Sequence, residues 1–425
     1  MAQLAIHGGE KTRLTPFPEA REIGREELRE LVDVIWSQRL NRVGGTKVEA
    51  FERGFAELYG AKHGIASTSG TASIHVALGA INPDPGAEII TTAISDIGTI
   101  IPILYQNCIP IFADLDPRTY SIDPEDLEKK ITPKTKAVIA IHLFGLMGDM
   151  GKIREVCDDH DIYLIEDACQ AHLAQRDGKL AGTFGHFGCF SLQQSKQITC
   201  GDGGITITGD DKLASRARLF ADKAWPREAG WGERGYLFLA MNYRMTELQG
   251  AVALAQVGKA KRIVSRRRAL GMRLSRLLRK APGVKPPEIP ANCKHSFWLY
   301  PITIDQQILK TTPEEFTKAI SGEGIPASHG YIKLPLYMFP ILRDKRTYGN
   351  SHCPFECPIH GRDIEYKEGL CPTTEDILRR IITLPMRECF TEGDVKDMAQ
   401  GITKVAEYYA CLLYTSDAAD EEDSV

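Results

Sequence analysis

No apolar run in this chain approaches the roughly 18 to 20 residues that a membrane-spanning helix needs, so none is expected. Nor is there a surplus of cations: 52 Lys and Arg stand against 56 Asp and Glu, a net charge of −4. A protein that holds nucleic acid by bulk electrostatics needs positive charge to match the phosphates, and that class is set aside. The N-terminus, MAQLAIHGGEKTR, lacks a basic start followed by an apolar stretch, so no export signal is read and a cytoplasmic protein is expected. Cysteine is too sparse for a disulfide scaffold. Its 11 residues are scattered through 425, and several, such as Cys189 in HFGCFS, fall inside apolar strand-like runs. They read as buried thiols in a reducing cytosol. There is no internal repeat and no low-complexity tract before residue 411.

The chain does have the length and composition of a two-domain globular protein, with 43% hydrophobic and 25% charged residues. From 60 to 210, short β-rich runs alternate with helical stretches, the sign of an α/β fold with a mainly parallel sheet. Strands are expected at Gly64–Ala66, Glu88–Thr91, Ile109–Ala113, Ala137–His142, Tyr163–Glu166, Gly188–Ser191 and Gly204–Thr208. Most are continuous apolar runs, as fits a sheet covered on both faces. Helices are expected at Thr71–Ala80 and Pro124–Lys130. Thr246 and Gln249 form a capping-box pattern opening a long helix to about Lys280. Its half from Lys259 to Lys280 holds ten Lys or Arg and no acid, and reads as the solvated face of a domain-linking helix. A strand at Phe297–Ile304 and a final helix at Thr391–Tyr409 mark a smaller α+β domain. Residues 1–255 are thus read as an N-terminal arm and a large domain, and 256–410 as the linking helix and a small domain. The segment CLLYTSDAADE, Cys411–Glu421, resembles a translated sequencing adapter, so 411–425 is expected to be non-native or disordered.

In open parallel sheets, ligands bind beyond the carboxyl ends of the strands. Four such places carry chemistry. Ser67-Thr68-Ser69-Gly70-Thr71 follows the first strand and opens a helix, which suits a phosphate. Asp167 follows YLIE, Ser191 follows GCF with Lys196 in the loop beyond it, and Asn242 precedes the long helix. Each has an ordinary structural reading as a turn, a cap or a surface lysine. Together they supply an anion site, a carboxylate and a lysine, which are the needs of pyridoxal 5′-phosphate.

Four segments carry a resemblance: SGTASIHVAL from Ser69, IEDACQAH from Ile165, CFSLQQSKQITCGDGG from Cys189 and NYRMTELQGA from Asn242. On these the chain resembles the DegT/DnrJ/EryC1/StrS family of sugar aminotransferases, of the aspartate-aminotransferase-like fold (fold type I). The likeness runs from LAIHGG at Leu4 to about Ala410. The third segment and HSFWLYPI from His295 look most like the branch that aminates ketocyclitols such as scyllo-inosose. The resemblance implies that Lys196 is the Schiff-base lysine and Asp167 the partner of the pyridine nitrogen. It places Gln170 at the phenolic oxygen and Gly70, Thr71 and Ser191 at the phosphate. Asn242 would reach the same phosphate from a second subunit, making the protein a homodimer with shared sites.

One position departs from the pattern. In TTAISDIGT, Asp96 aligns with the aromatic that stacks on the pyridine ring in relatives. The implied reaction is amino transfer from glutamate or glutamine to a ketosugar or cyclitol by a ping-pong route. The alternatives are a dehydratase, an amino-hydroxybenzoate synthase-like enzyme, or a non-catalytic pyridoxal phosphate-binding regulator. Retention of Lys196, which dehydratase relatives replace with histidine, favours amino transfer. His352, Cys353, Cys357, His360 and Cys371 fit no standard zinc spacing, so no metal is assigned; their prolines imply an extended loop over the site. His329, Tyr331, Lys333 and Tyr337 are read as possible linings of the entrance, and Arg244 as a possible carboxylate clamp.

Overall fold

Continuous apolar runs build the sheet that positions everything else. The computed structural model of the chain describes residues 3–227, 235–356, 358–361 and 363–422. In chain order the strands are β1 (His63–Ser67), β2 (Glu88–Thr91), β3 (Ile109–Phe112), β4 (Thr135–Ile141) and β5 (Tyr163–Asp167). A small hairpin, β6 (Gln175–Arg176) and β7 (Lys179–Leu180), precedes β8 (Phe187–Ser191) and β9 (Gly204–Thr208). The main sheet has seven strands in the order β1-β9-β8-β5-β4-β2-β3. Residues of β2, β3, β8 and β9 are buried throughout, as expected when helices cover both faces. All neighbours run parallel except β9, which is antiparallel to both β1 and β8. A parallel return needs a crossover, generally helical, whereas the loop from 192 to 203 turns straight back and pairs Ser191 with Gly204.

Three helices lead into and follow β1: α1 (Arg25–Ser37), α2 (Lys47–Tyr59) and α3 (Gly70–Ile81). The third begins one residue before the expected Thr71, because the Ser69 side chain already accepts a hydrogen bond from the Ala72 N–H as its cap. The long helix runs Glu247–Leu278 with the Thr246/Gln249 capping box in place. Its basic run is matched by acids from elsewhere in the chain. Lys259 lies 2.7 Å from Glu27, Arg267 2.6 Å from Glu388 and Arg273 2.9 Å from Glu392. Arg266 and Arg268 donate to the carbonyls of Phe390 and His295. These pairings bind segments together, while Lys261, Arg276, Arg279 and Lys280 stay exposed to solvent.

A second sheet follows, in the order β10 (Val284–Lys285), β12 (Leu299–Ile304), β14 (Ile382–Pro385), β13 (Ser328–His329), all antiparallel. A short strand, β11 (Cys293–Lys294), pairs instead with β6. Strand β12 starts two residues later than expected, since Phe297 has φ 49° and stacks on His295. The final helix, Glu392–Glu422, continues past the expected end at Tyr409. Its start is fixed by Thr391, whose N–H donates to Asp394 while its hydroxyl accepts from the Asp394 N–H. The N-terminal arm, grouped with the large domain in the sequence reading, lies against this second core. Leu4 is buried in it, and Arg13 lies 2.7 Å from Asp394.

The proline-rich segment also lies elsewhere than expected. It packs along the β2–β3 edge of the sheet and does not cover the site. His360 Nε2 is 3.2 Å from Glu88 at the start of β2, and the Tyr366 hydroxyl donates to the Pro110 carbonyl. Cys357 lies outside the described residues. Among those described, no cluster of His, Cys, Asp or Glu is arranged to hold a metal ion. No helix among them is long and apolar enough to cross a membrane.

Candidate functional site

The carboxyl ends of β1, β5 and β8 open on one cavity of 420 Å³. Its lining includes Gly70, Thr71, Asp96, Asp167, Gln170, Ser191 and Lys196, so one space collects residues drawn from Ser69 to Tyr331. Asn242 is not in it. That residue is exposed on the surface, where its side chain accepts from the Arg244 N–H. Arg244 is held by Asp222, which also pairs with Arg227, so within its own chain it is no free clamp.

The floor is built from close contacts that tolerate only glycine. A Cβ on Gly70 would come within 2.8 Å of Ser191 Cβ and 2.9 Å of Cys169 Sγ. A Cβ on Gly204 would lie 2.1 Å from the Ser69 carbonyl oxygen. The first turn of α3 therefore sits flush against the ends of β8 and β9. The N–H groups of a first helical turn have no carbonyl one turn back, and here they border the cavity beside Ser191.

Asp167, buried at the end of β5, has both oxygens engaged. Oδ2 accepts from Thr99 Oγ1 at 2.7 Å and Oδ1 from the Cys169 N–H at 3.1 Å. Thr99 is itself 3.0 Å from Ser95 Oγ. Asp96 caps this turn, its carboxylate accepting from the Gly98 N–H at 2.8 Å, and it lies exposed at the cavity wall. The turn passes directly over α3, where a Cβ on Gly98 would meet Thr71 Oγ1 at 2.4 Å.

Lys196 is half-buried, with Nζ 3.9 Å from the centre of the Trp298 ring. Burial lowers its pKa below the ordinary lysine value, and the carboxylates of Asp167 and Asp96 act against that shift. Trp298 is held in turn by its indole N–H, which donates to the Ser195 carbonyl at 3.0 Å. Across the cavity, Gln170 accepts from the Phe144 N–H and donates to the Tyr331 hydroxyl at 3.1 Å. Of the suggested entrance residues only Tyr331 lines this space. Tyr337 is buried against Glu375, His329 contacts the Arg379 carbonyl, and Lys333 points to solvent. Thr99, Trp298 and Cys169 were not singled out from the sequence, although each lies within a quoted segment.

A sequence model of the DegT/DnrJ/EryC1/StrS aminotransferase family matches residues 21–360. GDP-perosamine synthase of Caulobacter vibrioides is 35% identical over 365 residues, covering 85% of this chain and 94% of that protein. The L-glutamine:2-deoxy-scyllo-inosose aminotransferase of Streptomyces kanamyceticus is 33% identical over 431 residues, covering 97% and 98%. A solved aminotransferase from Psychrobacter cryohalolentis superposes with a TM-score of 0.83 at 24% identity, over 93% of this chain and 100% of that one.

Proposed function

Because the chain belongs to the DegT/DnrJ/EryC1/StrS aminotransferase family, which uses pyridoxal 5′-phosphate, we propose that it moves an amino group from glutamate or glutamine to the ketone of a sugar or cyclitol. The two substrates take turns at one cavity, donor first and acceptor second. The observation that carries this reading is the convergence of Lys196, Asp167 and the first turn of α3 on that cavity.

The residues present fit the cofactor. A helix start whose Gly70 has no room for a side chain would receive its phosphate, the buried Asp167 carboxylate would suit its ring nitrogen, and the half-buried Lys196 its aldehyde carbon. When bound, it supplies an electron-accepting ring and carries the amino group between the two substrates. The α3 N–H groups, Thr71 and Ser191 would hold the phosphate, and Gln170 the phenolic oxygen. Asp167, fixed by Thr99 and Cys169, would present a negative edge to the ring nitrogen. Lys196 Nζ would take the proton from the donor's α-carbon and give one back on the acceptor side; the burial that lowers its pKa enlarges its neutral, proton-accepting fraction. Asn242, exposed outside its own cavity, is assigned to the site of a second subunit in a homodimer. A cytoplasmic setting suits the cysteines, all unpaired among the described residues.

The test is transfer of label from glutamine carrying ¹⁵N on its α-amino group. The aminated sugar or cyclitol should carry the label in proportion to turnover. Consumption of the acceptor with no label incorporated would replace amino transfer by dehydration.

A further inference from the structure

Beyond Trp298 lies a second cavity, of 310 Å³, which shares Gln193, Ser195 and Trp298 with the first. We propose that it is the subsite for a carboxylate of the amino donor, and that Arg387 is the residue that grips it. This rests on the amino-transfer reading and adds a donor-specificity residue to it.

Three guanidiniums line the space: Arg21, Arg267 and Arg387. Two form its inner wall. Arg21 Nη2 donates to the Gln197 carbonyl at 3.0 Å and also to that of Lys196, so this wall is tied to the lysine's own backbone. Arg267, only 1% exposed, and Arg21 both lie beside Glu388, at 2.6 and 3.3 Å. Yet Arg21 Nε and Arg267 Nη2, like Glu388 Oε1 beside them, find no aligned hydrogen-bond partner. Burial lowers the pKa of Arg267 to about 10, with Arg21 adding to the effect and Glu388 opposing it. Two guanidiniums thus share one carboxylate in this wall.

Arg387 stands at the rim, 33% exposed, and pairs at 3.3 Å with Glu19, which is 83% exposed. An ion pair this exposed contributes little, so an incoming carboxylate can displace Glu19 easily. With Glu19 displaced, Glu388 alone faces the three arginines, and it is taken by Arg21 and Arg267, so Arg387 is the guanidinium left for an incoming carboxylate. Arginine also suits the shape, because its fork takes a carboxylate through two parallel hydrogen bonds. Gln193 and Ser195, shared by both cavities, join the space at Lys196 to the space at Arg387.

The experiment is steady-state kinetics of the holoenzyme and two variants, with L-glutamine or L-glutamate as donor and scyllo-inosose as acceptor. Arg387→Gln should raise the donor KM roughly 10- to 100-fold, the scale of a lost charge-assisted bond. The acceptor KM should stay within twofold. The reverse half-reaction from the aminated cyclitol, which has no carboxylate, should proceed at the wild-type rate. Glu19→Gln, which removes the competing carboxylate, should lower the donor KM a few-fold. A rise in acceptor KM with the donor KM unmoved would assign the cavity to the acceptor and overturn the proposal. Equal losses in both half-reactions would overturn it as well, by making Arg387 merely structural. Wild-type transfer with an unchanged Arg387→Gln donor KM would remove this subsite alone, whereas no wild-type transfer from any amino acid would remove the function it rests on.

Discussion

Asp167 meets the cavity with Oδ2 taken by Thr99 and Oδ1 by the Cys169 N–H, and Thr99 is steadied by Ser95. The carboxylate proposed for the ring nitrogen is thus aimed by a turn from another strand. Thr99→Val keeps the shape and removes the donor. It should lower kcat by roughly 10- to 100-fold, the scale of a hydrogen bond to a charged group, with the fold intact by circular dichroism. A kcat within twofold of wild type would mean that Asp167 needs no such support. Asp167, Ser191 and Lys196 were legible because each stands beyond an apolar run, where a polar side chain has no part in the core. Thr99 and Trp298 were not. Each is unremarkable within its own segment, and only their approach to Asp167 and Lys196 gives them a place in the site.

At the scale of elements, the site depends on how tightly α3 seats against the β8–β9 pair. The Ser69 carbonyl oxygen lies where a Cβ of residue 204 would have to go, at 2.1 Å, and backbone on both sides leaves nothing flexible to give way. Gly204→Ala should push the first turn of α3 off the strand ends. Overpacking of this kind costs about 1–3 kcal/mol, and the helix start that would hold the phosphate moves with it. The cofactor dissociation constant, followed by fluorescence quenching, should rise tenfold or more and the melting temperature should fall. An unchanged value of both would contradict the contact. The strand pattern was readable from apolar runs, but the reversal of β9 was not. A buried strand looks alike in either direction, and the decision lies in a connecting loop without a helix.

For the molecule as a whole, three buried histidines set an acid limit. Burial lowers the pKa of His75 and His172 to about 4 and that of His295 to about 3. Unfolded histidine takes its proton near 6.5. As pH falls from there toward 4, the unfolded chain gains protons that the folded chain refuses, so stability is full above 6.5 and declines below it. Thermal melts should show this decline already between pH 6.5 and 5.5, above the range where carboxylates titrate; a flat melting temperature across that interval would rule it out. The assignment of Asn242 to a neighbouring site makes a second prediction at this scale. Mixing Lys196→Ala and Asn242→Ala subunits puts both lesions in one site of each mixed dimer and leaves the other whole. Activity should return to about a quarter of wild type if subunits exchange at random. No recovery despite demonstrated exchange would place Asn242 outside the shared site.

Local order determined much of this protein. Apolar runs marked the strands of the main sheet, the Thr246 and Gln249 pattern opened the long helix, and the residues after strand ends named Ser69, Gly70, Thr71, Asp167, Ser191 and Lys196 of the cavity lining. Those signals are local because backbone hydrogen bonding and burial act over a few residues at a time. What tertiary structure decided is everything that depends on two distant segments meeting. It paired the basic run of the long helix with acids from the termini, and carried the proline-rich segment to the β2–β3 edge and away from the site. It also gathered Arg21, Arg267 and Arg387 around one cavity next to Lys196. Charges along a chain have no fixed partner until the fold brings one within a few ångströms, so their pairing is a property of the packed molecule.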